Sequence, residues 1–287
     1  MSFDEFIRVC EARQCKDLSR IADEIVARKN VRLVLLCGCS SAGKTTTAKR
    51  LCTALRVNNV ECLHMSTDDY FKGHGHYPLN DDGTEDYEHV GCVDEVRLAS
   101  DINRLIAGET IKRHVFDFVT KQPADTDESV TLVKGGIIVL EGIHALNPVL
   151  TKDIPDEVKY RIFIEPKTDN PALTRFLRRV VRDHNFRKTS ADATYTIWPK
   201  VRAGETKWIE PYRKNADVEF DSGLPYELSV LKPYVLGPLE ILKRKYPHDA
   251  RLNFVVELLG EVEAHSPNAV PGDSILRETI GGSQLAY

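Results

Sequence analysis

The chain of 287 residues lacks a long apolar run, a strong net charge and any C-x-x-C pair. No stretch approaches the roughly 18 apolar residues that a membrane span needs. The N-terminal segment MSFDEFIRVCEARQCKDL contains acidic residues and no apolar core, which argues against a signal peptide. A formal charge of -4 at pH 7 argues against a chain-wide nucleic-acid or membrane binder and leaves room for local basic patches. We therefore expect a cytoplasmic protein with neither a nucleic acid nor a membrane as its partner.

The cysteines also lack the arrangement of a structural framework. All seven lie in the first third of the chain, and their number is odd. Cys37 and Cys39 fall within an apolar run, which favours buried thiols over metal ligands. The sequence predicts reduced, partly buried thiols, and neither a disulfide framework nor a zinc site.

What the chain does contain is an alternation of short apolar runs with helical patterns. Hydrophobic residues make up 42% and charged residues 29% of the sequence, as in a soluble globular protein with an ample core. The predicted strands are 31–37, 60–66, 135–143, 159–165 and 217–222, and the predicted helices are 4–28, 45–56, 93–107, 174–188, 226–245 and 250–264. Strands that alternate with helices predict an α/β fold, a doubly wound parallel sheet with helices on both faces.

Two segments interrupt that alternation. TIKRHVFDFV and SVTLV predict a small β excursion at about 110–133, and the C-terminal region 226–287 is predicted to be helical. Because no repeat, low-complexity tract or clear linker divides the chain, we expect residues 1–287 to form a single domain.

The segment GCSSAGKT (38–45) fits the pattern G-x-x-x-x-G-K-[ST], and it lies between a predicted buried strand and a predicted helix. Glycines at 38 and 43 let the backbone wrap a phosphate and turn N–H groups toward it. Lys44 would reach the β- and γ-phosphates, and Thr45 would place its hydroxyl on Mg²⁺. The alternative is a glycine turn with an incidental lysine. The predicted ATP-binding residues of this P-loop are Gly38, Ser40, Ser41, Ala42, Gly43, Lys44, Thr45 and Thr46.

Acidic residues indicate which P-loop chemistry to expect, since no N-K-x-D guanine signature is present. Glu141 follows the apolar run GGIIVL, at the position of an acid that orders Mg²⁺ through water; the alternative is a polar residue that ends a strand. Asp68 and Asp69 end the second strand, at the sheet edge where ligands bind in such folds. One of them, Asp68 by preference, could accept the proton of an attacking hydroxyl; the alternative is a pair of helix-capping aspartates. The predicted magnesium-site residues are Thr45, Glu141 and Asp68.

An arginine-rich stretch follows the fourth strand. At helical spacing Arg175, Arg178, Arg179 and Arg182 can share one face, and Arg187 follows. The stretch is either a solvated basic face or the start of a lid, at about 178–215, that closes over the triphosphate. A lid would stabilise charge in transfer and exclude water.

These motifs, in this order, resemble the uridine kinase/phosphoribulokinase family of P-loop kinases, and most closely its bacterial nucleoside kinase branch. The likeness extends through STDDYFKG, IIVLEGIHALNP, RRVVRDHNFRKTSA, WPKVRAGETKWIEPY, YELSVLKPY and DSILRETIGGS. It implies ATP:nucleoside 5′-phosphotransfer with Mg²⁺ as cofactor. By motif position, Asp68 resembles the catalytic aspartate, Thr45 and Glu141 the metal-site residues. Arg179, Arg182 and Arg187 resemble arginines of the lid and nucleotide contacts.

The segments predicted to bind the phosphate acceptor resemble the family at some positions and differ from it at others. DYE (86–88) lies where the family places an aromatic residue and an acid that holds the ribose hydroxyls; the alternative is a capped loop, in which Asp94 and Glu95 suit the helix start. VFDFV (115–119) lies on the β excursion that forms part of the nucleobase pocket. Phe116 and Lys121 stand where animal-type members have Tyr and His, and RKTS lacks the glycine that usually follows the lid arginine. Many members of the branch also have an N-terminal domain that resembles part of a threonyl-tRNA synthetase, which we expect to be missing here.

The sequence thus predicts a uridine/cytidine-like nucleoside kinase, since a carboxylate base favours an uncharged alcohol. A kinase for another small neutral alcohol and an ATP-binding regulatory module without transfer activity remain alternatives, and a homo-oligomer is allowed. The predicted catalytic residues are Asp68, Lys44, Arg179 and Arg182. The predicted substrate-binding residues are Asp68, Tyr70, Tyr87, Glu88, Phe116, Lys121, His144 and Arg179, while Arg187 joins the nucleotide-binding set.

Overall fold

A parallel sheet of five strands lies at the centre of the computed structural model, which describes residues 1–80, 82–117 and 120–286. The elements are, in chain order, α1 (Phe3–Ala27), β1 (Leu33–Cys37), α2 (Lys44–Val57), β2 (Cys62–Ser66), α3 (Glu95–Ile106), β3 (Thr110–Asp117), β4 (Gln122–Thr131), β5 (Ile137–Gly142), β6 (Lys159–Glu165), α4 (Pro171–Phe186), α5 (Ala191–Trp208), β7 (Val218–Asp221), α6 (Glu227–Lys245), α7 (Ala250–Glu261) and α8 (Arg277–Ile280). The strand order is β2-β5-β1-β6-β7, and every neighbouring pair is parallel. The predicted α/β fold is confirmed.

Both faces of the sheet are covered, because alternate residues of each strand point to opposite sides. Val34 and Leu36 pack with α1 and α2 on one face. Leu33 and Leu35 pack with α3 on the other. This burial on two faces explains why the strands are nearly continuous apolar runs. A third apolar cluster joins α4, α6 and α7 to the start of α1.

The β excursion is an antiparallel hairpin of β3 and β4, in which Phe116 faces Pro123 and Lys112 faces Ser129. The predicted second strand, SVTLV at 129–133, is wrong in its bounds. The real strand, β4, is mostly polar and exposed. Its backbone pairing with β3 forms it, so an apolar pattern was a poor guide. Residues 118 and 119 of the predicted nucleobase segment 115–119 lie outside the described residues.

The predicted helix at 93–107 is present as α3, which begins near the end of the acidic stretch DYEHVGCVDEV (86–96). Asp94 caps it by accepting a hydrogen bond from the Arg97 backbone N–H (3.0 Å). Helix α5, by contrast, was not predicted, because it buries Thr194, Val201, Gly204 and Glu205 and therefore shows no apolar stripe. Ser190 caps α5 by accepting a bond from the Ala193 N–H (3.2 Å). In the described part of the chain, no helix is both long and apolar enough to span a bilayer.

The cysteine prediction requires a correction. The structure pairs Cys52 of α2 with Cys62 of β2, whereas Cys10, Cys15, Cys37, Cys39 and Cys92 are free. The turn after α2 leads the chain straight back along that helix, and this brings the two Cα atoms to 5.4 Å. That separation lies within the range of bridged cysteines. The expectation that every cysteine is a free thiol was wrong for this pair. The number of cysteines and their spacing in the sequence do not give the distance between two of them in the fold.

Candidate functional site

The P-loop connects β1 to α2 and depends on two glycines. Gly43 has φ +89°, the left-handed region that favours glycine, and a Cβ there would lie 2.5 Å from Cγ2 of Ile275. A Cβ at Gly38 would lie 2.3 Å from the backbone oxygen of Ile164. Helix α2 begins at Lys44 without a side-chain cap. Its positive N-terminal end therefore opens toward the site.

The polar atoms of this loop fit a phosphate. The Lys44 Nζ donates to the Cys39 carbonyl oxygen at 3.2 Å, which folds the ammonium over the loop. The Ser41 hydroxyl is buried and has no hydrogen-bond partner within the described ranges. Because buried hydroxyls are nearly always paired, this atom is a natural donor to an anionic oxygen.

Thr45 and Glu141 meet beside the loop. The hydroxyls of Thr45 and Ser66 both donate to Oε1 of Glu141, at 3.0 and 3.2 Å. Burial, and then the charge of Asp68, raise the pKa of Glu141 to about 7, and Lys44 opposes them. A hydroxyl with one or two carboxylates suits Mg²⁺, which keeps several waters and phosphate oxygens. Over residues 1–80, 82–117 and 120–286 no group of three His, Cys, Asp or Glu side chains forms a denser metal site.

Asp68 stands at the end of β2 on a short helical turn, Thr67–Tyr70. Its side chain is exposed, and its backbone N–H donates to Oγ of Ser66 at 3.2 Å. The cap of this turn is thus Ser66 and not an aspartate, so the helix-capping interpretation does not explain Asp68. The Asp68 side chain is therefore not required as a cap of this turn.

A cavity of about 390 Å³ brings the two halves of the predicted site together. It is lined by Ser40, Ser41, Gly43, Lys44, Thr45, Asp68, Phe71, Tyr77, Tyr87, Glu88, Cys92, Phe116, Lys121, Glu141, Ile143, Arg179, Arg182, Arg187 and Glu278. Most of the P-loop, both predicted acids, the three predicted lid arginines and four of the predicted acceptor-side residues, Tyr87, Glu88, Phe116 and Lys121, therefore share one space.

Five predicted residues do not line this cavity. Gly38 and Ala42 are buried within the loop, and the Thr46 hydroxyl donates to Oε2 of Glu278 (3.2 Å). Tyr70 is buried on another side, where its hydroxyl donates to Oδ2 of Asp101 (3.2 Å). His144 is 1% exposed, and burial lowers its pKa to about 4.

The half of the cavity that contains the predicted substrate-binding residues Tyr87 and Phe116 is an aromatic wall. The ring centroid of Phe71 lies 5.5 Å from that of Phe116 and 6.2 Å from that of Tyr77, and Tyr77 lies 5.4 Å from Tyr87. All three pairs are edge-to-face, a favoured aromatic geometry. The Lys121 ammonium lies 5.9 Å from the Tyr87 centroid. Phe71 and Tyr77 are not among the predicted site residues, although both follow Asp68 closely in the loop after β2.

Glu88 lies between this wall and the arginines. Burial is the main cause that raises the pKa of its carboxyl to about 7, while Arg179 lowers it and Glu205 raises it. A Cβ on Gly204 of α5 would lie 2.5 Å from the Glu88 Cβ. Helix α5 therefore packs against Glu88 through a residue without a side chain.

The arginines of α4 divide into two groups. Arg179, Arg182 and Arg187 line the cavity, and Asp183 lies 3.3, 3.0 and 3.8 Å from them. Arg175 and Arg178 are buried in ion pairs with Glu205 and Glu227. For Arg175 and Arg178 neither predicted alternative, a lid face or a solvated face, is correct. Asp183 and Glu278 are likewise not among the predicted site residues. The only sequence signal for Asp183 is an acid within an arginine run, and Glu278 lies far from the other site residues in sequence.

The family follows from a sequence match over most of the chain. The model of the phosphoribulokinase / uridine kinase family matches residues 33–228. The chain belongs to this family. A uridine kinase of Deinococcus deserti is 28% identical over 187 residues, 65% of this chain and 85% of that protein. A uridine kinase of Chlamydia pneumoniae is 30% identical over 187 residues, 65% of this chain and 79% of that protein.

A solved structure agrees in fold with this member of the phosphoribulokinase / uridine kinase family. A protein described as a possible uridine kinase from Bacillus stearothermophilus gives a TM-score of 0.50 at 20% identity, and covers 74% of this chain and 100% of that one. At this identity the likeness bears on the fold alone. The family match and the P-loop together make the chain a P-loop kinase.

Proposed function

We propose that this P-loop kinase transfers the γ-phosphate of ATP to the 5′-hydroxyl of a ribonucleoside of the uridine or cytidine type. One observation carries the proposal: a single cavity holds the P-loop, the Asp68 carboxylate and an aromatic wall with Glu88 at its edge. The uridine kinases among its relatives support the same acceptor class.

On the donor side, the P-loop would bind the phosphates through backbone N–H groups, the Lys44 ammonium and the hydroxyl of Ser41. When bound, Mg²⁺ would neutralise charge on the β- and γ-phosphate oxygens, with Thr45, Glu141 and Asp68 as the residues that hold it. Arg179 and Arg182 would stabilise the negative charge of the transferring group, and Arg187 would contact the nucleotide.

For the transfer itself, Asp68 is the proposed base. The acceptor oxygen forms a bond to the γ-phosphorus while the bond from that phosphorus to the β,γ-bridging oxygen breaks. The hydroxyl proton passes to the Asp68 carboxylate, and ADP leaves with the bridging oxygen. A second negative charge beside this carboxylate would be repelled, so an uncharged alcohol is the favoured acceptor.

On the acceptor side, an aromatic wall suits a planar base. The rings of Phe71, Tyr77 and Phe116 offer faces and edges on which a base can stack. The Glu88 carboxylate, partly withdrawn from water, can accept hydrogen bonds from both hydroxyls of a ribose diol. Tyr87 lies beside it, as an aromatic neighbour of the sugar.

A second candidate acceptor is another small neutral alcohol, such as a sugar or a pantothenate-like compound. Phe116 and Lys121 favour it, because they supply no neutral polar edge that would read a pyrimidine. The diol-accepting Glu88 would serve a sugar equally well.

A turnover screen tests the proposal. The protein is incubated with ATP and Mg²⁺ and a panel of ribonucleosides and 2′-deoxyribonucleosides, and the phosphorylated products are identified by mass spectrometry. We expect a 5′-monophosphate from at least one ribonucleoside. Product only from non-nucleoside alcohols would favour the second candidate. ATP binding without any transferred phosphate would favour a regulatory module.

A further inference from the structure

Ser40, the third residue of the P-loop motif, is held at all three of its polar groups. Its backbone N–H donates to Oε1 of Glu205 at 3.3 Å. Its carbonyl oxygen accepts from Nη1 of Arg175 at 3.2 Å. Its hydroxyl oxygen accepts from Nη1 of Arg179 at 2.8 Å. Two of the three partners come from α4 and one from α5, neither of which is adjacent to the loop in sequence.

The two groups that hold the backbone of Ser40 are also a buried ion pair. Arg175 donates to both carboxylate oxygens of Glu205, at 2.5 and 3.1 Å, and both side chains are 0% exposed. Arg202 donates a further hydrogen bond to Glu205. A bidentate pair fixes the orientation of both groups, so the position of each is set by the other. The backbone of Ser40 is therefore hydrogen-bonded to two side chains that have little freedom to move.

A second buried ion pair on α4 has the same form, and its hydrogen bonds go to residues outside the P-loop. Arg178 donates to both oxygens of Glu227, at 2.7 and 3.1 Å, and also to the Ser222 carbonyl oxygen (2.7 Å). The side chains of this pair are 2% and 3% exposed. The two pairs thus match in residue types, bidentate geometry and burial. They differ in hydrogen bonding to the P-loop: among the described residues only the first pair bonds the loop backbone, whereas Arg178 shares a small cavity with Ser41 and Gly43.

We propose that Arg175 and Glu205 are positioning residues that hold the P-loop in its phosphate-binding conformation through the backbone of Ser40. The loop binds phosphate with N–H groups that must converge on one point, and such convergence is lost when a flanking peptide rotates. The ion pair prevents that rotation at Ser40. The proposal rests on the proposed use of ATP at this loop and does not depend on the acceptor.

The test compares Glu205→Gln with Glu227→Gln. Each change removes one buried carboxylate charge and keeps the shape of the side chain, so both variants should lose thermal stability. Binding of a non-hydrolysable ATP analogue with Mg²⁺ is measured by calorimetry at a temperature where both variants are folded. We expect Glu205→Gln to weaken analogue binding by about tenfold or more, the equivalent of one charge-assisted contact, and Glu227→Gln to leave it near the wild-type value.

Equal affinities in both variants, or equal losses in both, would overturn the proposal and leave Glu205 as an ordinary core residue. Should the Gln variants fail to fold, the shorter carboxylates Glu205→Asp and Glu227→Asp provide the same comparison with the charge retained. Hydrogen exchange at the Ser40 amide is a second readout: faster exchange in Glu205→Asp alone supports the proposal, and the same rate in both contradicts it. A wild-type protein that binds no ATP analogue would instead refute the proposed function.

Discussion

Replacing Glu88 with Gln should weaken binding of the acceptor and leave ATP binding almost unchanged. The carboxylate borders the aromatic wall of the cavity, and the proposed diol would donate two hydrogen bonds to it. Gln offers one acceptor oxygen in place of two and carries no charge. A hydrogen bond to a charged group contributes about 1.5–3 kcal/mol, so KM for the acceptor should rise about 10–100-fold.

The raised pKa of Glu88 gives the same prediction a pH dependence. Burial, the charges of Glu205 and Asp86, and the opposing charges of Arg179 and Lys44 leave its pKa at about 7. The ionised form is the better acceptor and prevails above that pH, so the acceptor should bind less well as pH falls. For a single group with this pKa, KM should rise about tenfold between pH 8 and pH 6. In Glu88→Gln this dependence should disappear.

Steady-state kinetics measures both parts, with acceptor and ATP varied separately across that pH range. Glu95→Gln is the matched control, because Glu95 belongs to the same acidic stretch but begins α3 and pairs with Lys72 at 3.2 Å. It should keep the wild-type KM for acceptor and its pH profile. An unchanged acceptor KM in Glu88→Gln would refute the diol assignment, and a pH profile that survives the substitution would assign the titration to another group.

Three further substitutions test other parts of the site. Asp68→Asn should lower kcat about 10²–10⁴-fold while calorimetry still detects the ATP analogue, because a base is lost and the P-loop is intact; near-normal turnover would refute the base assignment. Gly204→Ala would normally stabilise a helix by about 1 kcal/mol, but its Cβ would lie 2.5 Å from the Glu88 Cβ, so acceptor KM should rise and ATP KM should not. Gly43→Ala should abolish binding of the ATP analogue, because φ is +89° and Ile275 fills the space; retained binding would show that the loop can relax.

Much of the fold was predictable because its strands obey one rule. A strand buried on both faces must be apolar throughout, so the central strands such as β1 and β5 are visible as runs. This rule does not predict β4, because its side chains are mostly exposed and its backbone pairing with β3 forms the strand. α5 was missed because Val201 is the only large apolar side chain among its buried residues, so it shows no apolar stripe, yet this helix holds Glu205 and Gly204 in place.

In the site, local motifs were predictable and distant partners were not. Lys44, Thr45 and Asp68 come after the ends of β1 and β2, and Glu141 lies near the end of β5. Parallel strands bring these carboxyl ends to one edge of the sheet. Glu278, however, reaches the cavity from the C-terminal tail, 232 residues beyond Thr46, with which it bonds. No spacing rule links such residues, because the tertiary packing of the tail alone brings them together.

The arginines of α4 show why helical spacing cannot assign roles within a charged run. Arg175, Arg178, Arg179 and Arg182 share a helix, and the spacing treats them alike. Their roles are instead determined by carboxylates elsewhere, since a buried guanidinium requires a charged partner. Glu205 and Glu227 supply it from 30 and 49 residues away, to Arg175 and Arg178. Arg179 and Arg182 pair with Asp183 on their own helix and still line the cavity. A basic helix of this kind therefore needs buried acidic partners for the arginines that face the protein interior. Identifying those acids distinguishes the buried arginines from the ones that line the cavity.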